Sequence, residues 1–237
     1  MFQSTVNILQ GFGLPGERLL DSPSRVESLI INSAGATPNI YGFAATKSTI
    51  TNIAAMGGAL SPTNIFAGIM SSPKEAQLSG TTAGGTLAAT LAIPDNSQAE
   101  FCPMGDIVAS IANACNIGDK VIYNLTTGAL SAVAPTASFT ASQSTNVLTV
   151  SAITAGSLGV GSVVVSAGAI IGEIVSLGTG TGGAGTYNLN TSATVASGAM
   201  TANSEAAAGY AIVPNSQVYR YPVTNSGGGL TAVRLTN

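Results

Sequence analysis

The chain has 237 residues, a formal net charge of −3 and only 7% charged residues, against roughly 25% in ordinary globular proteins. Its basic residues stand singly at Arg18, Arg25, Lys47, Lys74, Lys120, Arg220 and Arg234, with no stripe to neutralise phosphates, which argues against a nucleic-acid partner. No run of about 18 apolar residues is present to cross a membrane as a helix, so no membrane partner is expected. A surface so poor in charge suits two situations: a coat of hydroxyls and amides, or burial in an assembly.

Residues 1–25 read as an irregular arm. Phe2, Val6, Ile8, Leu9, Phe12 and Leu14 are apolar, while Gly11, Gly13, Pro15 and Gly16 break any regular element. An apolar segment without a fold of its own lies on something, either its own domain or a neighbouring subunit. These six residues, with Arg18 and Arg25, are the candidate capsid or subunit contacts. The start of the chain lacks a basic region followed by an apolar run, so no signal peptide is expected.

From Arg25 onward, short β-rich runs alternate with turns of small residues. Strands are expected within 26–34, 40–46, 48–57 and 65–80. Others are expected within 86–111 and around Ile107–Cys115, where Val and Ile beside Gly105 and Gly118 favour strand over helix. Residues 120–125 and 129–133, joined by Thr126-Thr127-Gly128, spell a β-hairpin.

The texture then changes. Phe139–Ala202 contains one charged residue, Glu173, and neither Pro nor Cys. Strands are expected at Asn146–Ile153, Val160–Ser166, Ala169–Leu177 and Gly185–Leu189. Residues 138–202 read as a small β-domain inserted into a host made of 26–137 and 203–237, with its two ends close together in space. Host texture returns with strands near 210–214, 217–223 and 230–236, the last preceded by Gly227-Gly228-Gly229. The fold class expected is all-β: a β-sandwich or β-barrel-like host with an extended N-terminal arm, interrupted by a small inserted β-domain.

No chemistry-bearing motif survives inspection. Gly178–Gly183 fits G-x-G-x-x-G, but a dinucleotide loop opens a helix and this one leads into a strand; no Lys follows for a Walker loop either. There is no His, which removes His-activated nucleophiles and imidazole metal sites. Cys102 and Cys115 read as buried free thiols, and the sequence leaves a bridge between them open without requiring one. No two acids are marked as a catalytic pair; Glu17 with Arg18, and Asp119 with Lys120, look like solvated neighbours. Asn124-Leu125-Thr126 and Asn190-Thr191-Ser192 match the glycosylation sequon by chance. Tyr219 and Tyr221 alternate, so they should share a strand face, with Tyr210 as a third ring available for packing. No catalytic, cofactor-binding or metal residues are nominated, and the chain does not read as an enzyme.

Several host segments resemble the structural cement, or capsid decoration, proteins of tailed phages. They are Met1–Asn7 with Pro15-Gly16-Glu17, Phe66–Ile69 with Ser72-Pro73-Lys74, Leu78–Leu87, Gly105 with Ile107-Val108, Asn116–Asp119, and Thr127–Ser131. The resemblance covers most of 1–135 and returns at about 203–237. Asn146–Val150, Val160-Gly161 and Gly178–Tyr187 resemble a small β-module of phage virion proteins. Together they imply a virion protein made in the host cytoplasm, bound to the major capsid protein on the outer capsid surface. They also imply self-association as a homotrimer, no cofactor, and an insert that projects outward. The alternative implied is a virion-surface adhesin that touches a host-surface glycan through 139–201. A weakly active hydrolase on a β-scaffold is a more remote reading, with no carboxylate pair to support it.

Overall fold

The structure, a computed structural model, describes residues 13–19, 22–35, 38–72 and 92–236. Among these, every regular element is a strand. In chain order they are β1 (Arg18–Leu19), β2 (Arg25–Ile31), β3 (Asn39–Ile40), β4 (Ala44–Ser48), β5 (Ile53–Met56), β6 (Asn64–Ser71), β7 (Ala92–Ile93) and β8 (Ser97–Ile111). There follow β9 (Lys120–Asn124), β10 (Leu130–Val133), β11 (Thr136–Ala155), β12 (Val163–Ser166), β13 (Ala169–Leu177), β14 (Gly185–Asn203), β15 (Tyr210–Ile212), β16 (Ser216–Arg220) and β17 (Gly229–Leu235). The all-β expectation holds, and the barrel form of it.

The larger sheet is built on β8. Its first half closes a small barrel in the order β8-β2-β5-β4-β6, with β6 returning to β8. Leu29, Ile31, Ala54, Met70 and Phe101 are among the side chains that fill it. Pro103 falls where the β2–β8 register shifts, between the Arg25–Met104 and Glu27–Phe101 pairs. Pro cannot donate to a ladder, so an irregular position suits it. The second half of β8 pairs with β17 from Gly105 to Ile111 and meets β10 in parallel at Ile111. A second core, containing Ile107, Val121, Tyr123, Leu130, Val218 and Val233, lies here. Cys102 and Cys115 belong to it, both buried and free. Gly105 sits where one half gives way to the other: φ is 130°, and a Cβ would stand 2.7 Å from Cβ of Ser24.

The expected hairpin is β9–β10, in register from Leu130–Tyr123 to Val133–Lys120. Asn124 Oδ1 accepts from the backbone N–H groups of Thr126 and Thr127. Gly128, at φ 75°, passes so close to the barrel that a Cβ would lie 2.3 Å from the Ala44 carbonyl oxygen. Only glycine meets both demands.

Residues 136–203 form a separate four-stranded sheet, β11-β14-β12-β13, with a hydrophobic cluster of its own. Its frame is a long ribbon of β11 against β14, paired from Thr136–Asn203 to Val150–Gly185. Register shifts between Ala141 and Gln143 and between Thr145 and Val147 interrupt the ladder, and such irregularities bend strands. The ribbon folds over, so that Ser151 Oγ donates to the Thr140 carbonyl in the same strand, 3.1 Å away. Phe139, Leu148, Val150, Tyr187, Leu189 and Met200 then share one core. Sequence reading found only the halves of β11 and β14 that carry Val and Leu. The other halves, 136–145 and 190–203, are Ala, Ser, Thr and Gly with few large apolar residues, and they are strand because they pair with each other.

The junction between the two sheets is tightly bonded. Pro135 O accepts from Ser204 N at 3.0 Å, and Lys120 Nζ donates to Ser204 O at 2.8 Å. Glu205 N donates to Ser157 O and Ala208 N to Thr181 O, each at 3.1 Å. Ser204 is fully buried. Loops of the second sheet therefore grip the connector that leads to β15.

Candidate interaction surface

One corner of the barrel gathers three chain crossings. Gly16 N donates to Val108 O and Val108 N donates to Glu17 O, each at 2.8 Å, which ties the root of the arm to β8. Ser72 N donates to Gly16 O at 2.7 Å, and Gly42 N donates to Met70 O at 2.8 Å. A Cβ on Gly16 would lie within 3.0 Å of the Met70 oxygen and the Ser72 and Gly42 nitrogens, and its φ is 86°. The chain is thus fixed at Gly16, and Ser72 emerges beside it. It returns at Ala92, which pairs with Ile40, two residues before Gly42.

Of the eight residues nominated as contacts, Phe2, Val6, Ile8, Leu9 and Phe12 lie outside the described residues. Leu14 stands at this corner, 60% exposed, between the crossings and the chain's first twelve residues. Arg18 is in β1 opposite Ile107, with its guanidinium 4.0 Å from Glu100. Arg25 begins β2, exposed, opposite Met104. Leu14 and Arg18 therefore share the corner, and Arg25 lies further along β8 toward the barrel.

Of the two sets of neighbours read as solvated, Asp119 with Lys120 is not so, while Glu17 and Arg18 keep partial exposure. Asp119 is buried and accepts from Asn116 N at 2.8 Å, closing its own turn, while Lys120 reaches Ser204 O. Glu17 accepts from Leu14 N at 3.2 Å, and Arg18 looks to Glu100. At Asp119 and Lys120 the fold supplies a backbone partner for each charge. Lys47 pairs with Glu27 across the barrel strands.

The most engaged charge is one that sequence reading passed over. Asp106, fully buried on β8, accepts from Arg234 Nε and Nη2 on β17, both at 2.8 Å. The other face of that guanidinium lies 3.5 Å from the Tyr219 ring centroid, and Arg220 stands 4.7 Å from the same ring. The bidentate bond from Arg234 holds the Asp106 carboxyl below the usual carboxylate range, against desolvation that pushes it up. Asp95 is lowered as well, chiefly by the Asn39 amide and the Ser33 N–H; it ties Ser33 and Gly35 to Asn39. Burial raises the Tyr123 phenol to about 12, with its hydroxyl donating to Gly58 O at 2.9 Å.

The expected shared face of Tyr219 and Tyr221 does not form. β16 ends at Arg220, and Tyr221 takes φ 59° just beyond it. The Gly178–Gly183 loop joins β13 to β14 and wraps the Tyr187 ring. A Cβ on Gly180 would lie 2.3 Å from Tyr187 Cζ, and the Tyr187 hydroxyl accepts from Gly182 N and donates to Gly183 O. Those glycines serve packing, as the strand that follows them implied. In the sequons, Asn190 Oδ1 accepts from Glu173 N, as Asn124 Oδ1 does from its own turn. Among the described residues no group of three or more acids or thiols stands close enough to hold a metal.

The exposed surface carries few charges, Arg25, Glu173 and Arg220 among them, and several large apolar side chains. Ile30 and Ile53 are exposed partners across β2 and β5, and Ile170 protrudes from β13. Three ion pairs, Arg18–Glu100, Lys47–Glu27 and Arg234–Asp106, and a surface sparse in charge describe an all-β protein without a catalytic constellation among the described residues.

A family model described as structural cement protein (E217 gp24/Pam3 gp6) matches residues 2–171. The chain belongs to this family of phage structural proteins. The matched stretch runs through β11 and β12, which sequence reading set apart from the host, and ends in β13. No curated protein matches. Among solved structures, a chain of the capsid of Myoviridae phage XM1 is similar over 99% of both chains, with 13% identity and a TM-score of 0.45.

Proposed function

We propose that the protein binds the outside of an assembled phage capsid and stabilises it by clamping neighbouring major capsid subunits. The observation that carries this reading is the corner at Gly16, Gly42 and Ser72, in a chain of the structural cement family. A clamp needs a rigid base and a segment that reaches away from it. On this reading the base is the bonded crossing, and the apolar residues from Phe2 to Phe12 supply the contact with the neighbouring subunit. Leu14, Arg18 and Arg25 border the route. A ligand that binds only the assembled lattice shifts the equilibrium toward assembly by mass action, so many modest contacts suffice.

On this reading the host of 26–137 and 203–237 attaches, and residues 138–202 are an insert that projects outward. Copies associate as a homotrimer, and the role is mechanical, without catalysis. The glycan alternative gains no support from the insert. Its two aromatic rings, Phe139 and Tyr187, are both buried, so neither offers the face on which a sugar stacks.

The test is removal of residues 2–12. The cut stops there because Gly13–Glu17 belong to the packed corner. Occupancy of capsids in co-sedimentation is expected to fall at least tenfold while the far-ultraviolet circular dichroism of the β-fold is unchanged. Full occupancy by the truncated protein would refute the clamp.

A further inference from the structure

The outer face of the second sheet has a shape that fits itself. Ser138 pairs with Thr201, Thr201 with Val165, and Val165 with Ile170. Directly paired residues share a face, so these four form one row across β11, β14, β12 and β13. Thr140 and Ala199 pair in a neighbouring row. A groove of about 410 Å³ lies on this face, lined by Thr140, Thr154, Val165, Ala167, Ala199 and Thr201 among others. Ile170 stands beside it, 72% exposed. Glu173, the one charge between 138 and 202, is opposite Val163, further along β12 and β13 than this row.

We propose that this face docks on the same face of a second copy across a two-fold axis, with Ile170 of each chain seated in the groove of the other. A two-fold interface must be self-complementary, each contact occurring twice. A knob beside a hole on one surface meets that requirement. The chemistry is compatible with itself as well. Hydroxyls both donate and accept, so Ser and Thr facing their own kind pair in either sense, and no like charges meet along the Ser138–Ile170 row. A partner recognised by charge would find nothing in that row to read. The bonded junction at Ser204 holds the face at a set angle to the host, so docking requires no ordering of a tether. The contact is additional to capsid attachment. It would join one cement unit to the next above the lattice.

The experiment is cross-linking in the absence of capsids. Within one chain, positions 170 and 199 are two strands and two residues apart, roughly 12 Å by ladder spacings, beyond the roughly 7 Å that a disulfide spans. The double variant Ile170→Cys/Ala199→Cys is therefore expected to give a covalent dimer under mild oxidation, at least tenfold more than either single variant. The single variants also control for Cys102 and Cys115. A monomer band, or a trimer or longer ladder, would overturn the two-fold contact. As an arm without engineered thiols, Ile170→Asp should weaken concentration-dependent association in sedimentation velocity at least tenfold. Identical sedimentation of this variant and the parent protein would equally overturn it.

Discussion

Tyr187→Ala is expected to unfold residues 138–202 while leaving the host folded. The ring is fully buried at the centre of the second sheet's core, against Leu148, Ile174 and Leu189 among others. Truncating a buried aromatic costs about 3–5 kcal/mol, a large share of what a small core supplies. The loss is compounded because the Gly178–Gly183 loop is shaped around the ring and hydrogen-bonded to its hydroxyl. Tyr187→Phe keeps the ring and forfeits those bonds, at about 1–3 kcal/mol. Amide hydrogen exchange reads the two regions separately. Protection should disappear from β11–β14 in Tyr187→Ala and persist in β8 and β17. Concerted loss throughout would show that the two cores are one cooperative unit and that the insert has no independence.

The second large effect concerns Asp106. Removing one partner of a buried ion pair costs about 3–5 kcal/mol because the other charge is stranded. Arg234 retains partial exposure and its stacking on Tyr219, so Asp106→Ala belongs near the lower end, about 3 kcal/mol. The midpoint of urea unfolding measures it. The same pair predicts a pH dependence. The Asp106 carboxyl is held below its ordinary value in the folded state. Its contribution is therefore complete above the unfolded value of about 3.9, and it is lost as pH falls through the lower folded value. The parent protein should lose stability through this acid window, and Asp106→Asn should flatten that part of the profile. An unchanged slope in the variant would assign the acid sensitivity elsewhere.

These two residues mark what the sequence allowed to be read. The β class, the β9–β10 hairpin and the rejection of the Gly-rich loop as a nucleotide site all rest on local signals: alternation, a turn triplet, a strand after the glycines. The far halves of β11 and β14 carry no such signal, because Ala, Ser, Thr and Gly are strand there only through each other. Asp106 and Arg234 are 128 positions apart, and nothing local distinguishes them from the other scattered charges. Asp119 and Lys120 read as solvated neighbours, and the burial of Asp119 overturns that. Nothing local announces that each side chain bonds to a backbone group, of Asn116 and of Ser204. The corner at Gly16 was half legible. Pro15-Gly16 signalled a break in the arm, but the bond from Ser72 depends on β6 and β8 closing the barrel.

The central claim is that the protein recognises and stabilises an assembled lattice. Assembled capsids and free major capsid subunits, titrated with the same preparation, test it most directly, with thermal disruption of the capsids as the readout. Saturable binding to capsids, little binding to free subunits, and a rise in disruption temperature that follows occupancy are predicted. Equal affinity for free subunits, or full occupancy with no change in disruption temperature, would contradict it.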